Sequence, residues 1–145
     1  MTLTLNDLMP IGLCLATQEL FDARRFRNNF CDFLLLRFKD LKFSTSIIEI
    51  KRQLNSSSME KKFLEGHKAA IISNMDKIIS LVSSKYANMD ARRVERIVDN
   101  SKNIINKVLL AETFDQIAVL EPEFRGNVTL PVYELFSSYG RSRLI

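Results

Sequence analysis

EKKFLEGHKAAIISNMDKIISLVSS (residues 60–84) and DARRVERIVDNSKNIINKVLLA (residues 90–111) are the two stretches that decide the fold. In both, apolar side chains recur every three or four residues, the spacing that places them on one face of an α-helix. Ser57 or Ser58, with Glu60, forms a helix-start signal before the first stretch. Its apolar face comprises Leu64, Ile71, Met75, Ile78 and Val82. The face of the second stretch comprises Val94, Ile97, Val98, Ser101, Ile104, Ile105 and Val108.

A short turn near Asn88 connects these two stretches. Two long helices joined by so few residues are expected to lie side by side and run in opposite directions. The sequence therefore predicts a central, long antiparallel helical hairpin.

The rest of the chain also has helical character, with only four Gly and three Pro among 145 residues. Beside the hairpin, the predicted helices run from Asn6 or Asp7 to about Phe21, from about Asp22 to Lys42, from Ile47 to Leu54, from a Thr113 cap through Leu120, and from a Thr129 cap to Gly140. Pro10 is expected to be tolerated only within a first turn. We therefore expect an all-α, single-domain bundle of about five to seven helices over residues 1–145, with a mobile tail at about 141–145.

The inventory of reactive side chains predicts that this protein is not an enzyme. His67 is the single histidine and lies beside the apolar face of its helix, as a side chain at the edge of a core does. Cys14 and Cys31 lie in apolar runs typical of buried thiols, and a disulfide between them is the alternative. Cys31 with His67 could form a catalytic pair only if the fold brings them together.

Other ligand chemistries have equally little support in the sequence. Three Cys and His residues, far apart, are too few for a zinc site, and four isolated glycines form no phosphate-binding loop. The longest strictly apolar run, Leu34 to Leu36, falls far short of the ~18 residues of a transmembrane helix. We expect no cofactor, metal, small-molecule substrate or membrane span. Without a recognisable signal peptide, we expect an intracellular, cytoplasmic protein.

Basic side chains are concentrated in the middle of the chain, whose net charge is +4. Residues 56–111 carry ten basic and six acidic side chains, whereas residues 112–145 carry three and five. Clustered Lys and Arg are what a phosphate backbone or an acidic partner requires. Acidic residues near each cluster instead favour a solvated, ion-paired helix face. The candidate contacts for nucleic acid or an acidic partner are Arg24, Arg25, Arg27, Arg92, Arg93, Arg96, Lys102 and Lys107.

Phenylalanine is concentrated between Phe21 and Phe43, where six of the ten lie. Such a stripe normally belongs to a core, but these six do not fit one helical face, so part of the surface could be covered by another chain. The predicted oligomer interface comprises Phe26, Phe30, Phe33, Leu35 and Phe38.

Two functional hypotheses follow. The first is a helical protein-interaction or assembly module that self-associates or binds a protein partner, favoured by the opposite charges of the middle and the C-terminal third. The second is an RNA- or DNA-binding protein that uses the basic helix faces.

Overall fold

The computed structural model describes residues 4–22 and 58–144, and these ranges are helical without a β-strand. The all-α class predicted from the sequence is therefore confirmed. In chain order the elements are α1 (Leu5–Leu20), α2 (Ser58–Lys85), α3 (Ala91–Leu110), α4 (Phe114–Ala118), α5 (Glu121–Phe124), a π-helical turn (Arg125–Thr129) and α6 (Leu130–Leu144). The helices predicted for 22–42 and 47–54 fall outside the described residues, apart from Asp22. No helix in the described ranges is both long and apolar enough to cross a bilayer.

The buried apolar residues of the described ranges form one cluster, to which α1, α2, α3 and the C-terminal helices all contribute. The predicted faces of α2 and α3 supply much of it. All five apolar positions predicted for α2 are buried, as are Val94, Ile97, Ser101, Ile104 and Val108 of α3. Val98 and Ile105 are half-buried at the edge of the α3 face, and Arg92 and Arg96 lie exposed on the other side.

A buried lysine joins the N-terminal part of α2 to the C-terminal end of α3. Lys68 Nζ donates hydrogen bonds of 2.8 Å to the carbonyl oxygens of both Leu109 and Ala111. The last carbonyls of a helix have no hydrogen-bond donor within that helix. A positive charge near them also interacts favourably with the negative end of the helix dipole. Lys68 therefore completes the end of α3 while fixing its position against α2.

The C-terminal region corrects two predicted boundaries. Thr113 caps α4 as predicted, since its Oγ1 accepts the Gln116 N–H at 3.1 Å. Thr129, however, is no cap, because the chain passes from α5 through the π-helical turn into α6 without a break. Pro131 has no N–H to offer the Asn127 carbonyl, which instead accepts Asn100 Nδ2 of α3 at 3.4 Å. The last helix also continues past Gly140 to Leu144.

The start of α1 also differs from the predicted helix boundary. Its N-cap is Thr4, and Asp7, predicted as a possible cap, is the third residue of a capping box. Pro10 therefore lies beyond the first turn, where it leaves the Asn6 carbonyl without its usual donor. Lys85 Nζ, from the end of α2, donates to that carbonyl at 2.9 Å. A distant side chain thus makes the internal proline tolerable.

Replacing Lys68 by methionine should lower the free energy of unfolding by about 1–3 kcal/mol, because it leaves two carbonyls at the end of α3 without their donor. Lys77→Met is the matched control, since Lys77 lies exposed on the same helix and its loss should change stability by less than ~0.5 kcal/mol. Urea denaturation followed by circular dichroism measures both. Equal losses in the two variants would show that Lys68 does not hold α3.

Candidate interaction surfaces

Helix α1 turns a partly polar face towards the core. Asp7 is 3% exposed although it is a carboxylate. Its Oδ1 lies 2.9 Å from Lys85 Nζ and accepts the Tyr139 hydroxyl at 3.3 Å. Its Oδ2 accepts the Thr4 backbone N–H at 2.7 Å. Asp7 therefore ties the start of α1 to the end of α2 and to α6.

The protonation behaviour of Asp7 reflects these partners. The hydrogen bond from the Thr4 backbone, followed by that from Lys85, holds the pKa of the Asp7 carboxyl well below its usual range, against a smaller opposing effect of burial. Both partners favour the ionised form. The junction is consequently strongest when Asp7 carries its charge.

The other end of α1 is fixed by aromatic packing. Phe21, which follows the helix, is 1% exposed, and its ring centroid lies 5.1 Å from that of Phe124. Between the two ends, Cys14 is fully buried and Thr17 Oγ1 donates to the Leu13 carbonyl within the helix. One face of α1 is thus held against the core along its whole length.

The opposite face of α1 is apolar and exposed. Leu5 is 84% exposed, Met9 53%, Leu15 54% and Leu8 44%. Gly12 and Ala16 lie exposed between them. A helix that is apolar on both faces normally has both faces covered, and a continuous exposed apolar patch marks a contact surface. We call these six residues the α1 stripe.

The predicted interface did not include the α1 stripe, although the sequence holds a signal for it. Leu5, Leu8, Gly12 and Leu15 alternate by three and four residues, the spacing of a helix–helix seam. The predicted interface residues Phe26, Phe30, Phe33, Leu35 and Phe38 fall outside the described ranges, as do Arg24, Arg25 and Arg27.

An acidic cleft of about 720 Å³ adjoins the C-terminal end of the α1 stripe. Leu15 lines both surfaces, and Ala118 of α4 provides a further apolar wall. The carboxylates in the lining are Glu19, Asp22, Asp115 and Glu121. The α1 stripe therefore ends beside a cleft lined by carboxylates, of which Glu121 lies 3.7 Å from Arg125.

The predicted basic contacts of α3 divide into two groups. Arg93 lies 3.3 Å from Asp90 and 4.0 Å from Glu134, and Lys107 Nζ lies 2.8 Å from Glu123. Arg93 and Lys107 are therefore ion-paired with acidic side chains of the same chain. The remaining three contacts are exposed and have no ion pair with any carboxylate of the described residues: Arg92, Arg96 and Lys102.

The described thiol and the imidazole are both buried. Burial raises the pKa of the Cys14 thiol to about 12, so the nucleophilic thiolate is not formed near neutral pH. His67 is 4% exposed, its ring packs 5.7 Å from that of Phe114, and burial lowers its pKa despite a hydrogen bond with the Leu20 backbone. Cys31, which could pair with His67 only if the fold brought the two together, falls outside the described residues.

Neither a metal site in the described residues nor a similar protein indicates a function for this chain. Within residues 4–22 and 58–144, no group of three or more His, Cys, Asp or Glu residues is placed to hold a metal ion. No protein-family model matches the chain, and comparisons with curated proteins and with solved structures found no match either. Within the described residues, the α1 stripe, the acidic cleft and the exposed basic residues of α3 are candidate contact surfaces.

Asp7→Asn should lower the melting temperature at pH 7. On acidification, the melting temperature of the variant should fall by less than that of the wild type. The Asp7 carboxyl has a lower pKa in the folded than in the unfolded chain, where it is ~3.9. Its stabilising contribution is therefore present above that value and is lost progressively as the pH falls below about 4. Thermal melts at pH 7 and pH 3 test this, with the exposed Asp99→Asn as control. If the melting temperature of the wild type exceeds that of Asp7→Asn by the same amount at both pH values, the role given to Asp7 is wrong.

Proposed function

We propose that this protein is a non-enzymatic helical interaction or assembly module that self-associates, with the α1 stripe as a contact surface. The observation that carries the proposal is the exposure of Leu5, Leu8, Met9 and Leu15 on one helix face. Water contact with so much contiguous apolar surface is unfavourable, and a partner that covers it gains the corresponding free energy.

The anchoring of α1 supports this proposal. To bury the stripe within its own core, the helix would have to rotate about its axis. That rotation would break the Asp7 contacts with Lys85 and Tyr139 and separate Phe21 from Phe124. The polar bonds are strongest in the buried environment where they now lie. The apolar face therefore stays outward until a partner binds it.

Charge supports self-association in particular. Residues 56–111 carry ten basic and six acidic side chains, among them the exposed Arg92 and Arg96, whereas residues 112–145 carry three basic and five acidic ones. Opposite charges on two copies of one chain accelerate and orient their encounter. In this proposal the scaffold is the predicted bundle of about five to seven helices around the α2–α3 hairpin, and the predicted Phe26–Phe38 contacts extend the same assembly.

Size-exclusion chromatography with light scattering tests the proposal, with absorbance recorded at 260 and 280 nm. We expect a nucleic-acid-free peak at two or a larger whole number times the 16.7 kDa of one chain. The double substitution Leu8→Glu and Leu15→Glu should shift the peak towards 16.7 kDa while leaving the circular dichroism spectrum helical, because it places two charges on the covered surface.

Leu110→Glu is the matched control, since Leu110 is an 80% exposed leucine on α3 outside the stripe. It should leave the oligomer intact. A wild-type chain that stays monomeric at every concentration tested would contradict self-association, and an oligomer unaffected by the α1 substitutions would place the contact elsewhere.

A nucleic-acid-binding function is the second candidate, favoured by the basic side chains of α3 that have no ion pair within the described residues. Arg92 and Arg96 are one helical turn apart on an exposed face, so they could contact neighbouring phosphates. They contrast with Arg93 and Lys107, whose charges are already compensated. Binding through them would depend steeply on salt, because neutralised phosphates release their counterions.

Reversing both charges, Arg92→Glu with Arg96→Glu, should abolish salt-sensitive binding to fluorescent single-stranded RNA or duplex DNA. Lys61→Glu with Lys62→Glu is the control, since it changes the net charge by the same amount, from +4 to 0, at exposed positions of α2. Fluorescence anisotropy at two salt concentrations measures both. Binding that survives the Arg92 and Arg96 reversal, or is lost equally in the control, would rule out the α3 site.

A further inference from the structure

A groove runs between the first half of α3 and α6. It comprises two cavities, of about 190 Å³ and about 450 Å³, and Arg93 and Glu134 line both of them. The Arg93 guanidinium lies 4.0 Å from the Glu134 carboxylate, so this ion pair adjoins both cavities. We call the two cavities together the α3–α6 groove.

The smaller cavity lies where the chain enters α6 through the π-helical turn, a feature that is frequent at functional sites. Asn127 of that turn and Asn100 of α3 line this cavity. Asn100 Nδ2 donates to the Asn127 carbonyl at 3.4 Å, which is long for a hydrogen bond. So weak a bond can be exchanged for a stronger one to an anionic acceptor, and the same amide nitrogen carries a second N–H.

Arg96 supplies positive charge to the smaller cavity. It lines that cavity, is exposed and has no ion pair with a carboxylate of the described residues. Arg93, in contrast, is paired with Asp90 and Glu134. Arg96 and Asn100 are four residues apart, so their side chains leave α3 on the same face. The planar guanidinium can bind two oxygens of a phosphate, and the Asn100 amide adds a further donor for the same group.

An exposed aromatic ring lines the larger cavity. Tyr133 is 54% exposed, whereas Tyr86 is buried and Tyr139 is half-buried. The hydroxyl groups of Ser137 and Ser138 line the same cavity. An aromatic ring beside a cationic groove is the combination on which proteins stack the bases of single-stranded nucleic acids. The α3–α6 groove thus offers phosphate donors at one end and a stacking ring at the other.

We propose that the α3–α6 groove binds a short stretch of single-stranded nucleic acid, with one phosphate held by Arg96 and Asn100 and one base stacked on Tyr133. This inference rests on the second candidate function, because it names the site and the form of nucleic acid that α3 would bind. It adds Tyr133 and Asn100 to the basic contacts predicted from the sequence.

Other ligands match the groove less well. In a duplex the bases are paired and stacked on one another, so no base face is free to cover Tyr133. An acidic polypeptide could satisfy Arg96 but has no base to stack. Because Glu134 lowers the net positive charge of the groove, binding there depends more on stacking than on charge.

Substitution of Tyr133 tests the stacking contact. Fluorescence anisotropy of a short, labelled single-stranded RNA measures its dissociation constant with the full chain. Tyr133→Leu should raise this constant about tenfold or more, because a leucine offers no ring to the base. Tyr133→Phe is the matched control and should preserve the affinity to within about twofold, since its ring stacks equally well. Tyr133 is exposed, so both variants should keep the wild-type melting temperature.

Tyrosine emission reports the same contact directly, because the chain has three Tyr and no Trp. A base stacked on Tyr133 should quench the emission of the wild type, after correction for absorption by the nucleic acid. In Tyr133→Phe this quenching should disappear although the RNA is still bound. Quenching that persists in Tyr133→Phe would overturn the proposed stacking.

Arg96→Gln tests the phosphate contact, and Arg92→Gln is its matched control. Both arginines are exposed on α3, but only Arg96 lines the groove. Arg96→Gln should weaken RNA binding and reduce the slope of log affinity against log salt by about 0.7, the value for one phosphate of a single strand. Arg92→Gln should have a smaller effect on both quantities. Equal effects would place the phosphate on the outer face of α3 and overturn the groove.

Failure of this inference is distinguishable from failure of the function on which it rests. RNA binding that is lost on reversal of Arg92 and Arg96 but unchanged in Tyr133→Leu would refute the groove and leave nucleic-acid binding as a function. A wild-type chain that binds no oligonucleotide, or that binds poly-glutamate as tightly as RNA and with the same dependence on Tyr133, would refute both.

Discussion

The buried carboxylate of Asp7 is the constraint on which the rest of the arrangement depends. Helix α1 has apolar residues on both faces, so hydrophobicity alone does not decide which face turns inward. A buried carboxylate needs partners for its charge, and Asp7 finds them in the Thr4 backbone, Lys85 and Tyr139. These partners lie on three separate parts of the chain. Once they are engaged, the outward face of α1 is fixed, and that face is the α1 stripe.

Lysine side chains from distant parts of the chain donate hydrogen bonds to backbone carbonyls that have no donor within their own helix. Pro10 deprives the Asn6 carbonyl of its donor, and Lys85 replaces it from 79 residues away. The end of α3 is completed by Lys68, which is separated from Leu109 by 41 residues. These bonds are directional, whereas apolar packing is not. We infer that packing drives the helices together and that side-chain-to-carbonyl bonds set their relative positions.

The sequence predicted the interior of the helices better than their ends. The spacing of apolar residues in α2 and α3 identified the buried positions, because that spacing follows from the geometry of a single helix. Asp7 was predicted as a cap and is instead a partner of Thr4, and Thr129 was predicted as a cap but continues a helix. Helix ends depend on which donors neighbouring elements provide, and a local pattern does not contain that information.

The sequence by itself determined that this chain is helical and which faces of its long helices are apolar, since both follow from residue spacing along one helix. It also located the basic residues of α3, but not which of them are ion-paired: Arg93 and Lys107 are, whereas Arg92 and Arg96 are not, within the part of the chain that the structure describes. Only the tertiary structure decided which of the two apolar faces of α1 is turned outward. The reason is that the choice between two apolar faces was made by Lys85 and Tyr139, whose positions relative to Asp7 exist only in the folded chain.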